Sequence, residues 1–241
     1  LACGSHVRVA QRSRPADLPA GVAFTACDVL DAASVAAAFK GAAQVVVSIG
    51  FAYDGKVWQR DWPRAMANII AAASTSGARI VFLDNLYMYG PQTAPLTETM
   101  PLTDAGRKPA ARAAVTQLWQ DAAAAGKVRF AALRAPDFYG PGTPLSQLGD
   151  MAFGALARGK AAQLVLPPDT PHDFAYVPDI ARAILLLLDA PDSDFNQVWH
   201  MPSAPTQTPR QILALAQPAP RIHAVPLALL PLLGLVVPFL R

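Results

Sequence analysis

Lys108 and Arg112 stand four residues apart, a spacing that puts two cations on one face of a helix. An ammonium works as a base near neutral pH only when its pKa is depressed, and like-charge repulsion from Arg112 acts in that direction. Tyr87 and Tyr89 follow the apolar run 79–83, and Tyr139 follows the run 128–133, so three phenols stand where strands should end. Asp84, Asn85 and Asp137 flank the same ends. Parallel sheets take their ligands outside the carboxyl ends of their strands, which makes these groups candidates for proton transfer or for holding a reacting oxygen. Each phenol could equally pack with its hydroxyl satisfied. Asp84 and Asp137 are expected to accept bonds from backbone N–H groups of the adjacent loops rather than to act as acids. No His/Cys/Asp/Glu cluster has metal-site spacing, so no metal is expected. Cys3 and Cys27 are too few for a disulfide framework; they read as buried thiols of a reducing, cytoplasmic protein.

The elements that must position these groups alternate along the chain. Strands are expected at 7–10, 22–24, 44–49, 79–83 and 128–133. Helices are expected at 31–39, capped by Asp31 or Ser34, at 62–74 with Pro63 in its first turn and Gly77 beyond its end, and at 110–125 ending at Gly126. Such alternation predicts βαβ units, hence an α/β fold with a doubly wound parallel sheet covered on both faces. After Gly140, Pro and Gly become dense. A helix at 150–157, an extended piece at 163–166 and a helix at 177–188 precede a Pro-rich stretch to the end. Residues 1–140, with 171–190 returning to them, are read as the sheet domain. Residues 141–170 and 191–241 are read as a smaller lobe closing over the strand ends.

The chain has 241 residues, 53% hydrophobic and 15% charged, ample for a core at roughly 100–200 residues per domain. Its 20 basic and 17 acidic residues give a net charge of +3 without basic runs, so no nucleic-acid partner is expected. The apolar tail 225–240 is interrupted by Pro226, Pro231 and Pro238, and is read as a lobe segment rather than a membrane anchor. No export signal is visible.

Four segments in order carry a resemblance. They are Asp28-Val29, Tyr89-Gly90-Pro91 after a strand, Leu133-Arg134-Ala135-Pro136-Asp137-Phe138-Tyr139-Gly140-Pro141-Gly142, and His172-Asp173-Phe174-Ala175-Tyr176-Val177-Pro178-Asp179. Together they resemble the extended short-chain dehydrogenase/reductases, the NAD(P)-dependent epimerase/dehydratase family. The resemblance implies a Rossmann-like nucleotide-binding domain whose first strand and glycine-rich turn are missing here. The chain is therefore expected to be a fragment lacking a βα unit of about 20–25 residues. It also implies a nicotinamide dinucleotide cofactor and a small-molecule substrate, with a homodimer allowed.

By the same resemblance, the cofactor lies against Arg12, Arg14, Asp28, Val29, Ser48, Ile49, Gly50, Lys108, Arg134 and Ala135. The second strand of the fold usually ends in an acid that bonds the ribose 2′-OH; here it runs into Gln11-Arg12-Ser13-Arg14 with no acid before Asp17, which favours NADP(H) over NAD(H). The family's catalytic Ser or Thr aligns with Asn85, its Tyr with Lys108 and its Lys with Arg112. Lys108 is then the proton-transfer group, Arg112 orients ribose or substrate, Asn85 bonds the substrate oxygen and Tyr87 is a substitute phenol. His172 replaces a usual Arg and is read as a lobe contact. The implied function is oxidation, reduction or epimerisation at a hydroxyl or carbonyl of a small substrate; the alternative is a nucleotide-binding regulator with impaired catalysis.

Overall fold

A computed structural model of the chain describes residues 6–143 and 145–224. Cys3 and the tail 225–240 therefore lie outside the described residues. Two strands, β1 (Arg8–Gln11) and β2 (Ala23–Ala26), pair in parallel as a separate ribbon, with Arg8 opposite Ala23. Helix α1 (Ala32–Phe39) follows; of the two expected caps Asp31 is the one used, its carboxylate accepting from the Ala33 N–H at 2.9 Å, while the Ser34 hydroxyl accepts from the Asp28 N–H. Strand β3 (Gln44–Val47) leads to α2 (Gly55–Ser76).

Helix α2 starts seven residues before the expected 62. The Asp54 carboxylate accepts from the N–H groups of Lys56 and Val57, a stronger start signal than Pro63. Pro63 thus lies inside the helix, where its missing N–H leaves only the carbonyl of the exposed Gln59 to water. The helix ends as expected at Gly77, in the left-handed region at φ 74°.

Strand β4 (Arg79–Asp84), α3 (Arg107–Ala124) and β5 (Arg129–Arg134) follow, then β6 (Asp137–Tyr139). A π-helical turn (Gly149–Gly154) runs into the single turn α4 (Ala155–Ala157). Beyond it come β7 (Ala162–Leu164), β8 (Phe174–Tyr176), α5 (Val177–Asp189), β9 (Gln197–His200), α6 (Pro209–Ala216) and β10 (Ile222–Ala224).

The main sheet has the order β3-β4-β5-β9, all parallel, with Asp84 opposite Arg134. Alternation along β4 and β5 explains its two covered faces. Ile80, Phe82, Phe130 and Ala132 meet Trp62, Met66, Val115 and Trp119 from α2 and α3 on one side. Val81 and Ala131 meet Phe195, Ile184 and Leu187 on the other, where α5 packs. The expected doubly wound α/β class is therefore present.

One expectation changes: the sequence reading puts all of residues 191–241 in the lobe, yet β9 belongs to the main sheet. Asn196 causes this, at φ 62°; its backbone N–H donates to the Phe130 carbonyl and its side-chain oxygen accepts from the Phe130 N–H, which seeds pairing with β5. A second, smaller core of Leu148, Ala152, Leu156, Leu164, Phe174 and Leu213 gathers the π-helical turn, β7, β8 and α6. Here β6 pairs with β8 and β7 with β10.

Candidate active site

Beyond β3 the chain turns through Ser48-Ile49-Gly50 to Tyr53, and beyond β4 through Asn85 to a 3-10 turn at Tyr87–Tyr89. The two loops meet: the Tyr53 and Tyr87 hydroxyls lie 2.6 Å apart. Trp58, in the first turn of α2, braces both, its ring centroid 5.5 Å from that of each phenol in edge-to-face geometry. The Asn85 side-chain oxygen accepts from the Tyr87 N–H at 3.1 Å and fixes the turn. Helix α3 brings the third element. Its start crowds the start of α2 so closely that a β-carbon on Gly55 would lie 2.8 Å from that of Arg107. Lys108 thereby reaches the Tyr53 ring, its Nζ 3.3 Å from the centroid.

The electrostatics separate these groups. Burial pushes both phenols up; the hydrogen bond to Tyr53 raises Tyr87 further, and the Asp137 carboxylate adds to the rise in both. At neutral pH both are neutral hydroxyls, so one donates to the other. Burial instead lowers the Lys108 ammonium, with Asp54 opposing the fall. The ring face of Tyr53 also favours the charged form.

The like-charge repulsion expected from Arg112 is not what lowers Lys108. Arg112 points into the core at 1% exposure, ion-paired to Asp84 and lying 4.0 Å over the Trp62 ring. Its expected role of orienting ribose or substrate is overturned, because one turn along α3 the same face meets the sheet. Arg134 is likewise not turned to a cofactor: its three nitrogens go to Asp84, the Tyr89 hydroxyl at 2.5 Å and the Thr116 hydroxyl at 3.0 Å. Ala135 is buried beside Leu133, Ala175 and Ile180. Asp84 does accept from the Asn85 N–H at 2.7 Å, as expected of a strand-end acid, but its main partners are the two guanidinium groups. Tyr89 is spent between Arg134 and His200. Among the described residues Asp137 bonds no loop N–H; it pairs with His172 Nε2 at 3.0 Å, so His172 bridges two segments.

Sequence reasoning does not single out Tyr53. It falls six residues past β3 with no motif around it; the available signal is an aromatic in the loop after an apolar strand.

The remaining cofactor candidates lie at strand ends. Arg12 and Arg14 are exposed just past β1, Arg14 standing over the Phe24 ring at 5.9 Å. Asp28 follows β2 in a turn closed by the Leu30 N–H, and the Val29 carbonyl accepts from Asn68 of α2. Ser48 and Gly50 are exposed after β3, and a β-carbon on Gly50 would meet no atom within 4 Å, leaving room for a ligand. Two guanidinium groups, a carboxylate beside exposed backbone and an open glycine strand end suit a dinucleotide's charged and ribose portions. Among the described residues, no group of three His, Cys, Asp or Glu side chains could hold a metal ion, and no helix is long and apolar enough to cross a membrane.

The family model of the NAD dependent epimerase/dehydratase family matches residues 4–200. No curated protein matches the sequence. Among solved structures, the NAD complex of UDP-glucose 4-epimerase from Thermus thermophilus is 22% identical, with TM-score 0.73, covering 92% of this chain and 79% of that one. A dTDP-glucose 4,6-dehydratase from Streptomyces venezuelae, with NAD and TYD bound, is 18% identical at TM-score 0.76, covering 91% and 74%. UDP-glucuronic acid 4-epimerase from Bacillus cereus, in complex with NAD, is 13% identical at TM-score 0.77, covering 92% and 79%. At these identities the likeness is one of fold.

Proposed function

Because this chain belongs to the NAD-dependent epimerase/dehydratase family, we propose that it acts on a hydroxyl or carbonyl carbon of a small molecule with Lys108 as its proton-transfer group. The observation that carries the reading is the Lys108 ammonium on the Tyr53 ring, next to the 2.6 Å phenol pair. When bound, a nicotinamide dinucleotide supplies a two-electron acceptor or donor at carbon. Lys108 as free amine takes the hydroxyl proton in oxidation, and as ammonium returns it in reduction. The Tyr53–Tyr87 hydroxyl pair, beside Lys108, holds the reacting oxygen. The Asn85 amide nitrogen, which donates to none of the described residues, stands on the turn that carries Tyr87. Arg12, with Arg14 beside it, would take the cofactor's 2′-phosphate, so NADP(H) is preferred. Asp28, Val29, Ser48, Ile49 and Gly50 are the other strand-end contacts. The cysteine usage fits a cytoplasmic setting.

The test follows nicotinamide absorbance with a panel of secondary alcohols and ketones, using NADP(H) and NAD(H) in parallel. Turnover is expected, higher with NADP(H), and Lys108→Ala should lose about 10²–10⁴-fold, the range for removing a general acid–base group. Full turnover by Lys108→Ala would remove Lys108 from the mechanism.

A further inference from the structure

Strand β6 leads into a cavity of about 650 Å³ walled by Tyr139, Tyr176, Phe153, Leu148, Thr143 and Asp150. Alternation along β6 puts Asp137 and Tyr139 on one face. Asp137 is the acid whose charge reaches Tyr53 and Tyr87, and Tyr139 lines the cavity, so one strand face joins the reacting end to this space.

The wall is mostly aromatic and apolar. The Tyr139 and Tyr176 rings lie 5.2 Å apart at 41°. Gly140 makes this approach available: at φ 114° its added β-carbon would stand 2.7 Å from the Tyr176 ring. The polar groups are few. The Thr143 hydroxyl donates to the Gly140 carbonyl at 2.6 Å, which leaves the Tyr139 and Tyr176 hydroxyls to orient a ligand.

The charges decide what that ligand is. A UDP- or dTDP-linked sugar brings a diphosphate, which in a partly enclosed site calls for Arg or Lys donors. Among the described residues lining the cavity the charged group is a carboxylate, Asp150. It sits in the first turn of the π-helical segment and pairs with Arg158 at 2.7 Å, both side chains being half or more exposed, so the Arg158 guanidinium already has a counter-ion. At the other end of the strand face stands another carboxylate, Asp137. Desolvating a diphosphate against these walls is unfavourable, whereas a ring-bearing alcohol or ketone matches them.

We infer that the cavity beside Tyr139 and Tyr176 takes an uncharged hydroxy or keto compound with an apolar ring body, and not a nucleoside diphosphate sugar. This rests on the reading of Lys108 and the phenol pair as the reacting end, but its test does not. Calorimetric titration of the full chain, with NADP⁺ present, compares a hydroxysteroid and a phenyl-substituted secondary alcohol with UDP, UDP-glucose and dTDP.

At least one of the two alcohols is expected to bind about tenfold or more tighter than any of the nucleotides, and Tyr139→Ala or, on the facing wall, Phe153→Ala to weaken it about tenfold. Two variants on different elements guard against one that does not fold. Equal or tighter binding of UDP or UDP-glucose overturns the inference, as does binding of none of the probes or loss of neither contact. Binding needs no proton transfer, so an inactive protein that still ranks the ligands this way would count against the mechanism alone.

Discussion

Asp84 is the residue on which the interior under the site depends. It stands between Arg112 and Arg134, all three at 2% exposure or less, and register brings them together because Asp84 faces Arg134 across β4 and β5. Arg112 offsets part of its own desolvation over Trp62, since its Nε and Nη1 have no acceptor among the described residues. Removing the carboxylate's charge leaves two buried guanidinium groups without their counter-ion. Asp84→Asn is expected to lower stability by about 3–5 kcal/mol, read as a fall in the urea midpoint with unchanged slope. A loss under about 1 kcal/mol would contradict the ion-pair account. Polar residues at two strand ends were legible in the sequence. That they turn inward to each other was not, because it depends on which strands pair and in what register.

At the scale of elements, the starts of α2 and α3 make the site. Asp54 has two separable jobs there: its side chain caps α2, and its charge raises the Lys108 ammonium against the lowering by burial. Asn caps about as well as Asp but carries no charge. Asp54→Asn should therefore keep the melting temperature while moving the Lys108-dependent limb of the pH–rate profile to lower pH. Asp54→Ala should shift the limb the same way and also melt earlier. An unmoved limb in Asp54→Asn would show that Asp54 does not act on Lys108.

The sheet strands and α1 were legible because apolar runs and caps are local signals. The early start of α2 was hidden by Pro63, whose usual place is a first turn. Strand β9 was hidden by the prolines around it, and the Tyr53–Lys108 contact joins segments 55 positions apart that no spacing rule relates.

For the whole molecule, the match over 4–200 places the chain in the NAD-dependent epimerase/dehydratase family, and the nicotinamide-linked activity proposed for it lies at the carboxyl ends of the parallel β3-β4-β5-β9 sheet. The reacting groups proposed there depart from the pattern that the resemblance implies, with Lys108 aligned to a tyrosine. The central claim is that Lys108 carries the proton, and its most direct test is the pH dependence of kcat/KM for alcohol oxidation. A group lowered by burial loses its proton below its ordinary value of 10.5, and oxidation requires the free amine. In the unmodified protein kcat/KM should rise with pH to a plateau, with a midpoint below 10.5, and the reverse reduction should fall through the same midpoint. Lys108→Ala should abolish this limb in both directions. An identical limb in Lys108→Ala would contradict the account and assign the proton to another group.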